Sequence, residues 1–326
     1  MYPKYRLESS LYFGYNPRRC FEASTSGVAF KDEIKHVQSV IRKAADSWRD
    51  IIPLLQMTLM GGSDASHTIF QNFPTDKKRL LSNCHFGPVS RWALDILLRH
   101  CKANAATKLY YYLLTTPEAA VLRGHLFEWQ VLNHLCSIQT KSSFSIRGLA
   151  NSEKKTWTYC GPIPRTDLKD LTVFNELTKV VEDQKSLHLV PLVRKFSAVD
   201  SVLYDPEDPE AVLTCIQITR NKYHPIDVPS LQRIQSWLRV DRQTVLEGLR
   251  PTKDRPWRFL FVVQSGMEAK FKSQNFKSKE GSDESGVVWA VKVDQHVLGF
   301  EEQTIFCKTS ERSVSTLQSG EQQVRC

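Results

Sequence analysis

Asp200, Gln217 and Thr219 are polar side chains on strand faces that otherwise read as apolar, and Glu128 lies in the middle of an apolar helical arc. A carboxylate so placed is costly unless a metal ion or a hydrogen-bond network satisfies it. Glu128, Asp200 and the Gln217 carbonyl together form a hard-oxygen set. Mg²⁺, or Mn²⁺ in its place, takes such ligands, is often held by one or two carboxylates, and keeps waters and substrate phosphate in its remaining positions. One chemistry such an ion can serve is phosphodiester hydrolysis, in which the ion acts as a Lewis acid and lowers the pKa of bound water, while a nearby cation offsets charge on the phosphate. Thr219 cannot supply that charge. Lys222, three residues on, is the first candidate for it and Arg220 the second. His224 is a candidate general acid or base because its unperturbed pKa lies near neutrality, although a histidine before Pro225 also reads as a packed loop residue. Each acid has a structural alternative too: Glu128 as an acceptor for arginine or backbone groups, and Gln217 and Thr219 as ordinary buried hydrogen-bonding groups.

Those residues are placed by three expected elements. Residues 196–204 alternate as a strand, with Phe196, Ala198, Asp200, Val202 and Tyr204 on one face. The breaker-rich "DPEDPE" follows, and residues 211–219 then form a near-continuous β-prone run of the kind buried on both sheet faces. This predicts a hairpin. Pairing Tyr204 with Ala211 sets Asp200 opposite Cys215 and diagonal to Gln217, roughly 7–8 Å away at the Cα atoms. A slip of one residue would turn Asp200 to solvent. Thr116, Pro117 and Glu118 mark a helix start, and the helix predicted to run to about Cys136 sets Val121, Gly124, Val131, Leu132 and Leu135 around Glu128.

The stretches "RGHLFEWQVLNHL", "FSAVDSVLY" and "CIQITRNKYHPI" resemble the nuclease-like domain of Crinkler and retrotransposon-hot-spot (RHS) effectors, a divergent branch of the PD-(D/E)XK restriction-endonuclease fold. The similarity spans about residues 88–300. It implies a helix–hairpin–helix–strand core whose helix acid, strand aspartate and acid-X-lysine strand bind divalent metal and activate water. Onto this chain it carries Glu128, Asp200 and Gln217. The lysine position is Thr219, and the second strand acid has become the amide Gln217. The resemblance also implies an intracellular effector; a host-cell nucleus as its site of action and an ATPase partner in trans are compatible with it and are not fixed by the sequence.

The remaining composition fits an ordinary soluble protein, with 326 residues, 41% hydrophobic and 24% charged. Lys+Arg 44 against Asp+Glu 35 gives +9, a balance that favours polyanionic partners such as nucleic acid. The eight cysteines are scattered, without CxxC or zinc spacing, as reduced intracellular thiols would be. No apolar run suggests a signal peptide or a membrane span. The N-terminal third is expected to be helical, through residues 30–60 and a helix beginning at Pro88. It resembles the tail of the effector ATPase module, yet lacks a GxxxxGK[ST] loop, and "MGGSDAS" is too weak a substitute. Residues 144–149, 157–160 and 187–193 read as strands, Pro229 opens a helix, and 257–263 is a further strand. Residues 265–286 form a lysine-bearing loop, 287–300 suit helix or strand equally, and the tail after Thr309 is polar.

The fold class expected is thus α/β (α+β), a mixed-sheet restriction-endonuclease-like core over 116–300 with a helical region at 1–115 and a tail at 301–326. The first functional reading is a Mg²⁺- or Mn²⁺-dependent nuclease-like domain acting on DNA. The others are an inactive nucleic-acid-binding module and a protein-interaction or toxin-like effector domain whose acids are structural. Lys154, Lys155, Lys270, Lys272, Lys277 and Lys279 are candidate phosphate contacts in the nucleic-acid readings and solvated loop residues otherwise.

Overall fold

The computed structural model describes residues 12–13, 17–23, 25–47, 53, 68–74, 84–100, 109, 111–116, 119–161, 163, 165–168, 178, 180–191, 199–208, 210–211, 213–238, 244–278 and 283–301. Residues 196–198 of the expected strand, "MGGSDAS", Pro117, Glu118, Lys279 and the tail after Thr309 lie outside the described residues. The chain forms two compact units, Met1–Trp129 with Gln303–Cys326, and Gln130–Glu302.

In the first unit, α1 (Pro17–Ala23), α2 (Gly27–Ser47), α3 (Arg91–His100) and the first half of α4 (Ala120–Ser137) accompany a hairpin of β1 (Phe70–Pro74) and β2 (Cys84–Pro88). Their apolar stripes supply Phe30, Val37, Ile41, Phe70, Leu94, Leu97, Leu122 and Leu126 to one core. The helical expectation for this third is therefore corrected by a strand pair. Pro88 closes β2 instead of opening a helix, because the helix start belongs to Ser90, whose Oγ accepts the Ala93 N–H at 3.1 Å.

The second unit is built on a mixed eight-stranded sheet in the order β4-β3-β12-β10-β8-β7-β6-β5. These strands are β3 (Lys141–Gly148), β4 (Lys154–Cys160), β5 (Arg165–Leu168), β6 (Leu187–Pro191), β7 (Ser201–Tyr204), β8 (Thr214–Ile218), β10 (Trp257–Gln264) and β12 (Val293–Phe300). Strands β8, β10 and β12 run parallel at the centre, while β6, β7 and β8 form an antiparallel meander. Parallel neighbours need crossovers, supplied by α5 (Val228–Trp237) with α6 (Thr244–Glu247), and by α7 (Asp283–Ala290). A two-residue pair, β9 (Ile226–Asp227) with β11 (Phe276–Lys277), ties the loops at this end. The segment 287–300 thus divides between a helix end and a strand. The mixed α and β content is the α+β class expected from the sequence.

Alternation along the strands separates two buried faces. Val202, Cys215, Trp257, Phe259, Phe261 and Val297 pack with Leu231, Ile234 and Leu238 of α5. Opposite them lie His188, Ser201, Ile216, Arg258, Leu260, His296 and Phe300, and there the second half of α4 reaches the sheet. His134 meets Phe300 edge-on at 5.1 Å, and Cys136 lies 3.4 Å from His188.

The β7–β8 register differs from expectation by two residues. The observed pairs are Ser201 with Ile216, Val202 with Cys215 and Leu203 with Thr214. Ala211 stays in the connection, because Asp205 Oδ1 accepts from Glu207 N at 3.1 Å and Asp208 Oδ1 from Glu210 N at 2.9 Å. Arg258 then ties Asp208 and Glu210 together. An even slip keeps every side chain on its face.

Candidate functional site

Asp200 stands where β7 and β8 cease to pair. Its N–H donates to the Ile216 carbonyl at 2.8 Å, and its Oδ2 accepts the Ile218 N–H at 2.7 Å, a donor that β7 would otherwise have to satisfy. The same oxygen accepts Gln217 Nε2 at 2.6 Å. Both side chains are 5% exposed. The amide has to face this way, since turning it over would set Oε1 against the carboxylate. Gln217 Oε1 is left buried with no hydrogen-bond partner. It is a neutral hard-oxygen donor beside a carboxylate, which fits a hard cation better than a softer ion.

Thr219 occupies the end of this strand without contributing charge. Its N–H bonds the Val262 carbonyl at 2.9 Å, and its Oγ1 accepts the Asn221 N–H at 3.1 Å, turning the chain away from the sheet. Arg220 is half-buried and donates to Gln264 Oε1 at 3.2 Å. Lys222 is exposed and His224 half-buried.

The loop carrying them is held by a residue that sequence reasoning missed. Gln274, 3% exposed, accepts the His224 N–H at 2.6 Å and donates to the carbonyls of Lys222 at 3.3 Å and Lys272 at 2.7 Å. Gln295 reciprocates with the Gln274 backbone at 2.8 and 2.9 Å. A glutamine inside a Ser/Lys loop carries no periodicity, so nothing in the sequence marked it. The effect is to hold the Lys222 and Lys272 main chains on one buried amide. Lys154, Lys270, Lys272 and Lys277 are exposed, while Lys155 is half-buried and 3.9 Å from Glu210.

Glu128 belongs to the first unit, with its Oε2 3.4 Å from His125 Nδ1, whereas Asp200 and Gln217 belong to the second. Gln217 shares the Cys215 face, covered by α5. Among the described residues, no group of three or more His, Cys, Asp or Glu side chains is arranged to hold a metal.

A second polar cluster also escaped the sequence reading. Arg258 is buried in a bidentate-style pair with Asp208 and a further contact to Glu210. With Lys155, Pro256, Asp294 and His296, Arg258 and Glu210 line a cleft of about 250 Å³. Burial, followed by the Arg258 charge, pushes the His296 pKa down and keeps the ring neutral.

No protein-family model matches the chain, and neither a curated protein nor a solved structure was found to be similar to it. Among the described residues, no helix is long and apolar enough to cross a membrane.

Proposed function

We propose that the second unit is a divergent nuclease-type domain of the Crinkler and RHS effector kind, which takes a divalent ion at Asp200 and Gln217 and acts on DNA phosphodiesters. The observation that carries this reading is the buried pairing of Asp200 with Gln217, which leaves the Gln217 carbonyl unsatisfied. The element order is compatible with it: α4 precedes the β7–β8 hairpin, with β3 to β6 between them, and α5 and then β10 come after it. A bound Mg²⁺ or Mn²⁺ would supply Lewis-acid polarisation of a phosphate oxygen. Asp200 would ligate through its carboxylate and Gln217 through Oε1. Lys222, on the exposed loop that Gln274 anchors, would place its charge against the phosphate, and His224 stands beside it as proton donor or acceptor. Action in a host nucleus and an ATPase partner in trans belong to the same reading.

Two observations favour a second reading, a module that grips nucleic acid without cleaving it. Thr219 has its hydroxyl committed to Asn221, and Asp200 Oδ2 already accepts two hydrogen bonds.

The deciding experiment incubates supercoiled plasmid with the full chain in Mg²⁺ or Mn²⁺ at fixed salt. The proposal expects weak nicking that Asp200→Ala abolishes and Lys222→Ala reduces far more than it reduces DNA affinity. Losing one oxyanion-stabilising donor costs roughly 2.7–4 kcal/mol in comparable cases. Glu128→Ala joins the series, and loss of nicking with DNA binding kept would give the helix acid a part in the site. No cleavage with either ion, together with undiminished DNA binding by Asp200→Ala, would establish the binding module.

A further inference from the structure

Away from Asp200 and Gln217, three side chains on the opposite face of the sheet form a continuous hydrogen-bonded chain. Cys136 Sγ, near the end of α4, lies 3.4 Å from His188 Nδ1 on β6, and His188 Nε2 lies 2.8 Å from Ser201 Oγ on β7. His188 and Ser201 are fully buried, whereas Cys136 is half-buried, so the thiol is the end of the chain that solvent can reach. A serine hydroxyl both donates and accepts, so either imidazole tautomer fits these contacts; in the one with Nε2–H directed at Ser201 Oγ, Nδ1 presents its lone pair to the thiol, the arrangement of a nucleophile, its base and the group that orients the base.

Tyr159 adds a fourth group. Its hydroxyl is buried with no hydrogen-bond partner. Burial first, then the charges of Cys136 and Asp205, push its pKa well up, so it remains a proton donor within electrostatic reach of the sulfur. Gly161 lets β4 come this close to the end of α4, since a Cβ there would collide with the Ile138 carbonyl.

At Cys20, Cys160 and Cys215 burial opposes ionisation of the thiol. Burial raises the Cys20 thiol, and raises Cys215 to about 12. Burial, then Asp205 and a hydrogen bond with Glu207, raise Cys160. Thiolate character and access govern thiol reactivity, and Cys136 joins a half-buried thiol to an imidazole nitrogen 3.4 Å away.

We propose that Cys136 is a peroxide-reactive thiol activated by His188. In the step, the sulfur attacks one peroxide oxygen, forming S–O as O–O breaks. The thiol proton passes to His188 Nδ1 and then to the departing hydroxide, so that thiol and hydrogen peroxide give sulfenic acid and water. Ser201 is a positioning residue that holds the imidazole ring in place through Nε2. This inference is independent of the nuclease reading.

The test treats the reduced full chain with hydrogen peroxide, traps sulfenic acid with a 1,3-dione, and measures labelling at each cysteine by peptide mass spectrometry. Cys136 should label about tenfold or more faster than Cys20, Cys160 and Cys215, in keeping with the contribution of a positioned base. His188→Gln should bring Cys136 to the level of Cys160, and Ser201→Ala should give an intermediate rate. The pH–rate profile of Cys136 should have its midpoint below that of the same thiol in urea. That comparison needs no variant, so it decides the matter even where His188→Gln fails to fold. Labelling of Cys136 no faster than Cys160, or slower in the folded chain than in urea at neutral pH, would overturn the proposal.

Discussion

Gln217 Nε2 donates to Asp200 Oδ2 at 2.6 Å across the opening between β7 and β8, so an amide stands where a second carboxylate would need an ion to be tolerated. The site is therefore self-satisfied on the Asp200 side and unsatisfied at Gln217 Oε1. Its structural and functional roles can be separated by substitution.

Asp200→Ala strands the Ile218 N–H and the Gln217 amide in a buried setting, at a cost of about 1–3 kcal/mol for each donor left without an acceptor. Asp200→Asn should cost less, because its carbonyl still accepts from Ile218. Urea denaturation of the two variants checks the order, and equal losses would mean that the carboxylate bonds contribute nothing specific.

Gln217→Glu sets two buried carboxylates against each other, a pair that ionises poorly unless a cation lies between them. The variant should melt below the parent without metal and regain more Tm than the parent on addition of millimolar Mg²⁺. A Tm insensitive to Mg²⁺ in both proteins would show that this geometry holds no ion.

Arg258 and Asp208 are 4% and 8% exposed in their ion pair, so removing either partner leaves a buried charge. Arg258→Ala should destabilise the second unit by roughly 3–5 kcal/mol, the usual loss when one side of a buried pair is deleted. Replacing the exposed Lys185, paired with Asp183 at the surface, should change stability little. Denaturant midpoints for both variants provide the comparison.

His296 has a folded pKa below its ordinary 6.5, so in that window the unfolded chain binds more protons and stability falls as pH falls. The neutral ring's contribution is complete above the ordinary value and is lost as pH drops through the folded one. His296→Gln should lose less stability than the parent between about pH 7.5 and 5, despite the partial offset from Asp294 and Glu210. Parallel stability curves would contradict this sign.

If Lys222 and Lys272 contact phosphates, alanine at either should lower the slope of log affinity for duplex DNA against log salt by about 0.9, with little sequence dependence. Gln274→Ala, which frees both main chains, should weaken binding without altering the slope. Fluorescence anisotropy across a salt series measures both effects.

The α+β class, the β7–β8 hairpin and the burial of Asp200 were legible in the sequence, because they rest on local periodicity, whereas Val121, placed beside Glu128 on the helical wheel, is exposed. Alternation of two marked the strand at Asp200, a near-continuous β-prone run marked the one carrying Gln217, and a period near 3.6 marked α4. The register was not legible. Carboxylate and arginine bonds in the "DPEDPE" connection decided it, and Arg258 lies far along the chain from Asp208 and Glu210. Sequence also gave no sign that Gln217 would neutralise Asp200 by donation, that Gln274 would anchor the Lys222 loop, or that Cys136, His188 and Ser201 would line up. Those relations join residues from separate elements through side-chain hydrogen bonds that have no period along the chain, so only the packed sheet brings them within reach.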